Sequence, residues 1–259
     1  MAMSHTVNSA VNALIGELQS SIHAIIGADL IGLYLDGSLA LGDFDADSDI
    51  DFVAVVTDDI PRDSERFVAL HAMHERITIL DTPWAIQLEG SYISARGLRR
   101  HDPALTWHPN IERGRGERLK MTDHDALWVV HRQVLREHGI VLAGPHPRDL
   151  IDPVDPEQLR SAMHAGMPWL AIFLHEPTKI TSRGYQSYLV LTVCRMRYTL
   201  AHNTVVSKPV AARWAQATLG EPWSGLIARA WSGRSNPDQP VDASEISATL
   251  AFIRMTLDL

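Results

Sequence analysis

Apolar residues recur at three- and four-residue steps through Val7, Val11, Leu14, Ile15, Leu18, Ile22, Ile25 and Ile26, the pattern of an amphipathic helix ending near Gly27. Two short apolar runs follow, Leu30 to Leu35 and Phe52 to Val56, each of a length that predicts a buried strand. The polar loop between them opens on Asp36-Gly37-Ser38 and closes on Asp49-Ile50-Asp51. After the turn residues Thr57-Asp58-Asp59, Pro61 and the spacing of Phe67, Leu70, Ala72 and Met73 predict a second helix. Trp84 to Glu89 reads as a third strand, with Ala85, Gln87 and Glu89 on one face. The stretch 101–121 reads as irregular, broken by Pro103, Pro109, Gly114 and Gly116. Thr122-Asp123 is placed to cap a helix through Leu127, Val130, Val134 and Leu135 to Gly139. His124, His131 and His138 would then share one stripe, stretched over about four turns and so too long for one metal site; a solvated or packed face is expected. Ile140 to Ala143 reads as a last strand.

Pro145, Pro147, Pro153 and Pro156 interrupt the chain, and helical periodicity prevails beyond them in Leu159–Leu174, Tyr185–His202, Val210–Leu219, Trp223–Trp231 and Ala243–Leu257. The expected fold class is therefore α+β: an N-terminal domain, 1–150, built on a mixed sheet with flanking helices, and a C-terminal helical bundle, 151–259. At 259 residues, 46% apolar and 21% charged, the chain has the composition of a soluble globular protein. Its net charge of −8 argues against a general nucleic-acid binder and leans weakly towards a cationic small substrate. The single cysteine, Cys194, excludes an internal disulfide and a thiolate zinc site, and its apolar neighbours mark it as a buried thiol. MAMSHTVNSA lacks a basic segment followed by an apolar one, and no run of eighteen apolar residues occurs, so a cytoplasmic protein with no membrane partner is expected.

Side chains in a strand alternate faces, so Asp49 and Asp51 project to one side, and two like charges that close favour a bound divalent cation. Gly37 lets a backbone approach a phosphate, and the Ser38 hydroxyl with successive N–H groups can cradle its oxygens. Together these features point to nucleotide chemistry. The competing reading, in which Asp43, Asp45, Asp47, Asp49 and Asp51 form an acidic turn without a ligand, leaves Gly37-Ser38 unexplained. Glu89 is either a third carboxylate for the cation or a solvated strand-end charge. The basic patch Arg113, Arg115, Arg118 and Lys120 either lines a cleft or lies on a solvated loop, and Trp107 either offers an aromatic face to a cationic substrate or packs. Arg195 within an apolar helix calls for an anionic partner, a carboxylate or a phosphate, and Lys208 stands before Pro209 at a helix start with Ser207 as the cap candidate.

Gly37-Ser38 followed by Asp49-Ile50-Asp51 on the next strand resembles the signature of the DNA polymerase β-like nucleotidyltransferase superfamily. LTVCRMRYTLAHNTVVSKPVAARWA (Leu191 to Ala215), REHGIVLAGP (Arg136 to Pro145) and LEGSYI (Leu88 to Ile93) resemble the streptomycin and spectinomycin adenylyltransferases. The chain is thereby identified as a member of the aminoglycoside O-adenylyltransferase-like family, the resemblance running from roughly residue 30 to 230. It implies transfer of AMP from ATP to a hydroxyl of an aminoglycoside-type antibiotic, with release of pyrophosphate. Asp49 and Asp51 would hold magnesium, as a pair of ions, with Glu89 beside them as general base. Gly37, Ser38 and Ser48 would meet the triphosphate, Arg195 and Lys208 would reach its phosphates from the helical domain, and Trp231 would stack near the nucleotide. The active site would then form between the domains.

Where streptomycin-modifying members carry an acid, this chain has Tyr185 after Gly184, and their interdomain-loop tryptophan has no clear match. Spectinomycin is therefore favoured over streptomycin, with Tyr185 and Trp107 as acceptor contacts. The expected partners are ATP and a small-molecule hydroxyl acceptor, without nucleic acid, on a monomer. Nucleotidylation of another small molecule or of a protein is the alternative enzyme. A noncatalytic, antitoxin-like nucleotide-binding module predicts a degraded carboxylate set, whereas all three acids are present.

Overall fold

The structure, a computed structural model, describes residues 8–258; Val7, assigned above to the first helical face, lies outside them. They divide into two compact units, one ending at Pro153 and the other beginning at Val154.

In the first unit, helix α1 covers Ser9–Ile26. The Asn8 side chain accepts from the backbone N–H groups of Ala10 and Val11 at its start, and Gly27, at φ +62°, ends it. The sheet strands are β1 (Leu30–Leu35), β2 (Ile50–Val56), β3 (Leu88–Ser94), β4 (Trp107–Ile111), β5 (Lys120–Asp123) and β6 (Ile140–Ala143). They lie in the order β5-β4-β3-β2-β1-β6, every pair antiparallel except β2 and β3. That parallel pair needs a crossover, which helix α3 (Glu65–Thr78) supplies, capped by Ser64. The short helices α2 (Gly37–Leu41), α4 (Ala95–Arg99) and α6 (Pro147–Leu150) and the longer α5 (Val129–His138) complete the unit.

Strand alternation sorts the side chains into two cores. On one face Leu33, Leu35, Ile50, Phe52, Ala54, Val56 and Tyr92 pack with α1 and α3; on the other Tyr34, Val53, Val55 and Ile93 pack with Leu98 of α4 and Leu135 of α5. Each fully buried large side chain contributes about 1.5–3 kcal/mol, so the register of β2 is held from both faces. The same alternation carries Asp51 to the α5 face.

Three expectations are corrected. Trp84–Glu89 is not a strand: Pro83 fixes a helical φ and Thr82 accepts from the Trp84 N–H, so Pro83–Ile86 is a 3₁₀ turn and the strand starts at Leu88. Glu89 is therefore the second residue of β3. Residues 101–121 are not wholly irregular, since they contain β4 and the start of β5. Thr122-Asp123 does not cap a helix; β5 runs through Asp123, Asp125 caps a 3₁₀ turn over Ala126–Trp128, and α5 begins at Val129. The three histidines consequently do not share one helical stripe.

The second unit consists of α7 (Pro156–His175), α8 (Arg183–His202), α9 (Lys208–Leu219), α10 (Trp223–Gly233) and α11 (Ala243–Leu257). Asp155 opens α7 with a capping box to Gln158. Cys194 is buried in α8, and Gln186 of the same helix donates to Glu245 and Thr249 of α11. A mixed sheet with flanking helices plus a helical unit is the α+β class read from the periodicity. Among the described residues, no helix is long and apolar enough to cross a membrane.

Candidate active site

Four carboxylates gather at the ends of three adjacent strands. Asp51 of β2 and Glu89 of β3 are direct partners across the parallel register, and both project to the α5 face. Asp49 immediately precedes β2. Asp36 follows β1; its backbone N–H donates to the Asp51 carbonyl at 3.0 Å, which extends the ladder by one step and sets its side chain on that same face. Asp36 is 2% exposed.

Gly37 makes the crowding possible. At φ +58° it adopts a backbone that side chains disfavour, and a Cβ there would stand 1.9 Å from Asp51 Oδ2. The chain thus turns from β1 into α2 directly against the Asp51 carboxylate. Ser38, in the first turn of α2, has a buried hydroxyl that makes no hydrogen bond among the described residues, and Asp36 Oδ1 is likewise buried without a partner among them.

Electrostatics record the convergence. Burial, then the charges of Glu89, Asp36 and Asp49, pushes the Asp51 carboxyl up to about 7. Glu89 is raised by burial and by Asp49. Two cations answer the four acids. Arg113, in the β4–β5 loop, meets Asp49 at Nη1–Oδ1 2.6 Å, and His131 of α5 meets Asp36 at Nδ1–Oδ2 3.0 Å. The partial withdrawal of His131 from water opposes its protonation, yet the Asp36 hydrogen bond and the charges of Asp36, Asp51 and Glu89 outweigh it and raise the half-exposed ring above its ordinary value. The ring stacks on Trp128, which stacks on His124; His124 in turn meets the Ser91 hydroxyl at 3.0 Å.

Neither Asp36 nor His131 was picked out as a site residue from the sequence. Asp36 carried a signal, an acid at the exact end of an apolar run beside Gly37. His131 carried none, because its place in the helix depends on where α5 begins.

The other candidate residues are located as follows. Ser48 is buried, and its hydroxyl donates to Asp45 Oδ1 at 2.8 Å and accepts from the Asp45 N–H. Trp107 of β4 is 61% exposed. In the second unit Arg195 lies mid-way along α8, and Tyr185 near its start stands against Phe173 and Tyr188. Lys208 opens α9 with Ser207 at the cap position, where the serine side chain makes no capping bond. Trp231 of α10 lies under the Arg234 guanidinium at 4.6 Å.

Among the described residues no group of three His, Cys, Asp and Glu side chains is closed into a cation cage. The donor set nevertheless suits a hard divalent cation: carboxylate oxygens, those of Asp51 and Glu89 raised in pKa by burial and by neighbouring acids, beside two buried oxygens without partners among the described residues. The Arg113 guanidinium stands on Asp49.

Residues 149–257 match the family model described as aminoglycoside adenylyltransferase, C-terminal domain. The chain is 23% identical to a spectinomycin 9-adenylyltransferase of Staphylococcus aureus, covering 99% of this chain and 98% of the relative. It is also 23% identical to an aminoglycoside (3'') (9) adenylyltransferase of Klebsiella pneumoniae, covering 88% and 87%. The crystal structure of the spectinomycin adenyltransferase AAD(9) from Enterococcus faecialis with ATP and spectinomycin superposes with a TM-score of 0.73 at 15% identity, over 95% of this chain and 99% of that one. The chain thus has the α+β fold of that adenyltransferase structure. Its second unit matches the C-terminal domain of the aminoglycoside adenylyltransferases, and the chain is similar along most of its length to adenylyltransferases that act on these antibiotics.

Proposed function

We propose that the protein transfers AMP from ATP to a hydroxyl of an aminoglycoside-type antibiotic and releases pyrophosphate. The observation that carries this reading is the pairing of Asp51 with Glu89 across parallel β2 and β3, beside Asp49 and against the Gly37 backbone. Asp49, Asp51 and Glu89 are the residues that would hold magnesium, which when bound would draw charge from the phosphates undergoing transfer.

Glu89 accepts the proton of the attacking hydroxyl. Its raised carboxyl is nearer to what a base needs at neutral pH than an ordinary glutamate, and its place beside Asp51 supports that role. The alkoxide oxygen forms the new bond to the α-phosphorus as the bond to the bridging oxygen of pyrophosphate breaks in line. Gly37 N–H and the Ser38 hydroxyl orient the triphosphate, with Ser48 supporting the loop through Asp45. Arg195 and Lys208 are assigned to the nucleotide phosphates, Trp231 to the base, and Tyr185 and Trp107 to the acceptor.

Spectinomycin is the preferred acceptor in this proposal, since Tyr185 stands where an acid would suit a more amine-rich drug. A cytoplasmic location, where ATP is at hand, belongs to the same proposal. The test is incubation with labelled ATP and magnesium, with spectinomycin and streptomycin supplied separately. Pyrophosphate release and an AMP-bearing product with spectinomycin are expected; ATP left intact with every aminoglycoside overturns the reading.

A further inference from the structure

Arg113 is ion-paired to Asp49, one of the proposed magnesium ligands, and its loop is held so as to present it. Gly114 N–H donates to the Ile86 carbonyl at 2.8 Å, pinning the β4–β5 loop beside β3, and Gly114 and Gly116 take positive φ values of 133° and 83°. Two further cations of the segment are engaged elsewhere: Arg118 faces Glu75, and Lys120, the first residue of β5, faces Glu112 and Glu117. Arg113 alone among the loop's ion-paired cations turns to the carboxylate cluster, with a side chain 50% exposed against 19% for Asp49.

A guanidinium at 2.6 Å from an Asp49 oxygen and a divalent ion on that same oxygen would repel each other at close range, and the ion would draw off the charge that holds the guanidinium. Once displaced, the guanidinium stays tethered within a side-chain length of the cluster, and its planar fork matches phosphate oxygens in two-point contact.

We propose that Arg113 is an exchanging counter-ion: it neutralises Asp49 in the nucleotide-free protein, yields that oxygen to the divalent cation, and pairs with the triphosphate of the incoming nucleotide. The inference rests on the cation site proposed above. It predicts opposite changes in two affinities when the charge is removed. In Arg113→Gln, manganese alone, read by electron paramagnetic resonance of the free ion, binds about three- to tenfold more tightly. ATP without metal, read by displacement of a fluorescent analogue, binds weaker by a similar factor, the range expected of a partly exposed ion pair. Arg113→Lys, retaining the charge without the fork, falls between the two proteins in both assays.

Manganese affinity unchanged or lowered in Arg113→Gln, or unchanged ATP affinity, overturns the inference. Failure of the underlying site looks different: the parent protein and Asp49→Asn would then bind manganese equally. Thermal melts of both variants, expected within a few degrees of the parent because Arg113 is half exposed, confirm that the affinities are those of folded protein.

Discussion

Glu89 is the residue on which the chemistry turns, and its role as proton acceptor can be separated from its share in the cation site. Glu89→Gln keeps size and hydrogen-bonding capacity while removing the proton acceptor. Turnover is expected to fall by about 10²–10⁴-fold, with the KM for ATP within a few-fold of the parent, as measured by pyrophosphate release. The Asp36–His131 pair makes a different residue-level claim. Asp36 is 2% exposed and one of its oxygens already lacks a partner, so loss of His131 leaves a buried carboxylate alone among three others. His131→Leu is expected to destabilise the protein by about 1–3 kcal/mol, less than a fully buried pair because the ring is half exposed. Adding Asp36→Asn should recover most of that loss. A double-mutant cycle in urea measures the coupling, and additive effects would mean that the two side chains do not support each other.

At the level of elements, the turn from β1 into α2 is the most constrained feature of the first unit. Gly37→Ala meets two penalties at once, a left-handed backbone and a Cβ 1.9 Å from the Asp51 carboxylate. A loss of about 1–3 kcal/mol is expected, together with weakened ATP binding as α2 is pushed off the carboxylates. A Gly42→Ala control, also at positive φ but in open space, should lose stability with ATP affinity retained. Such turns are legible in a sequence because glycine announces them, and the helices of the second unit are legible because one apolar face repeats through each. The Trp84–Glu89 strand was misread because its alternation is real, but Thr82 and Pro83 impose a turn that alternation does not register. The histidines of 124–138 were misread for a related reason: β-pairing of Thr122 with His108 outcompetes the helix cap that Thr122-Asp123 offers, and the start of α5 moves to Val129. Asp49, Asp51 and Glu89 were legible in the sequence, whereas Asp36 was passed over. The cations that balance these acids were not legible, because Arg113 and His131 reach the cluster only through tertiary folding.

For the molecule as a whole, the clearest consequence is its response to acid. His74, 2% exposed, bonds to the Tyr92 hydroxyl at 2.8 Å, and burial, aided by His71, pushes its ring down to about 3. Burial and the neighbouring His108, His131 and Arg132 push His124 down to about 2, and burial lowers His108 as well. An unfolded histidine takes its proton near pH 6.5, whereas these rings refuse it in the folded protein. Their contribution is therefore fully present above pH 6.5 and drains as pH falls towards 3, by about 2 kcal/mol at pH 5 for His74 and again for His124. Asp51 works in the opposite sense. Its folded carboxyl, held at about 7, penalises folding at neutral pH, and that penalty is relieved as pH falls towards its unfolded value of 3.8, by about 2 kcal/mol between pH 7 and pH 5. The two effects can be separated by hydrogen exchange of β2 and β3 amides, which reports the free energy of opening this sheet. Between pH 7 and pH 5, His74→Gln, which can still bond to Tyr92, should lose about 2 kcal/mol less protection than the parent. Asp51→Asn should lose about 2 kcal/mol more, because the compensating relief is gone. Parallel pH profiles for all three proteins would show that neither group titrates as its burial requires.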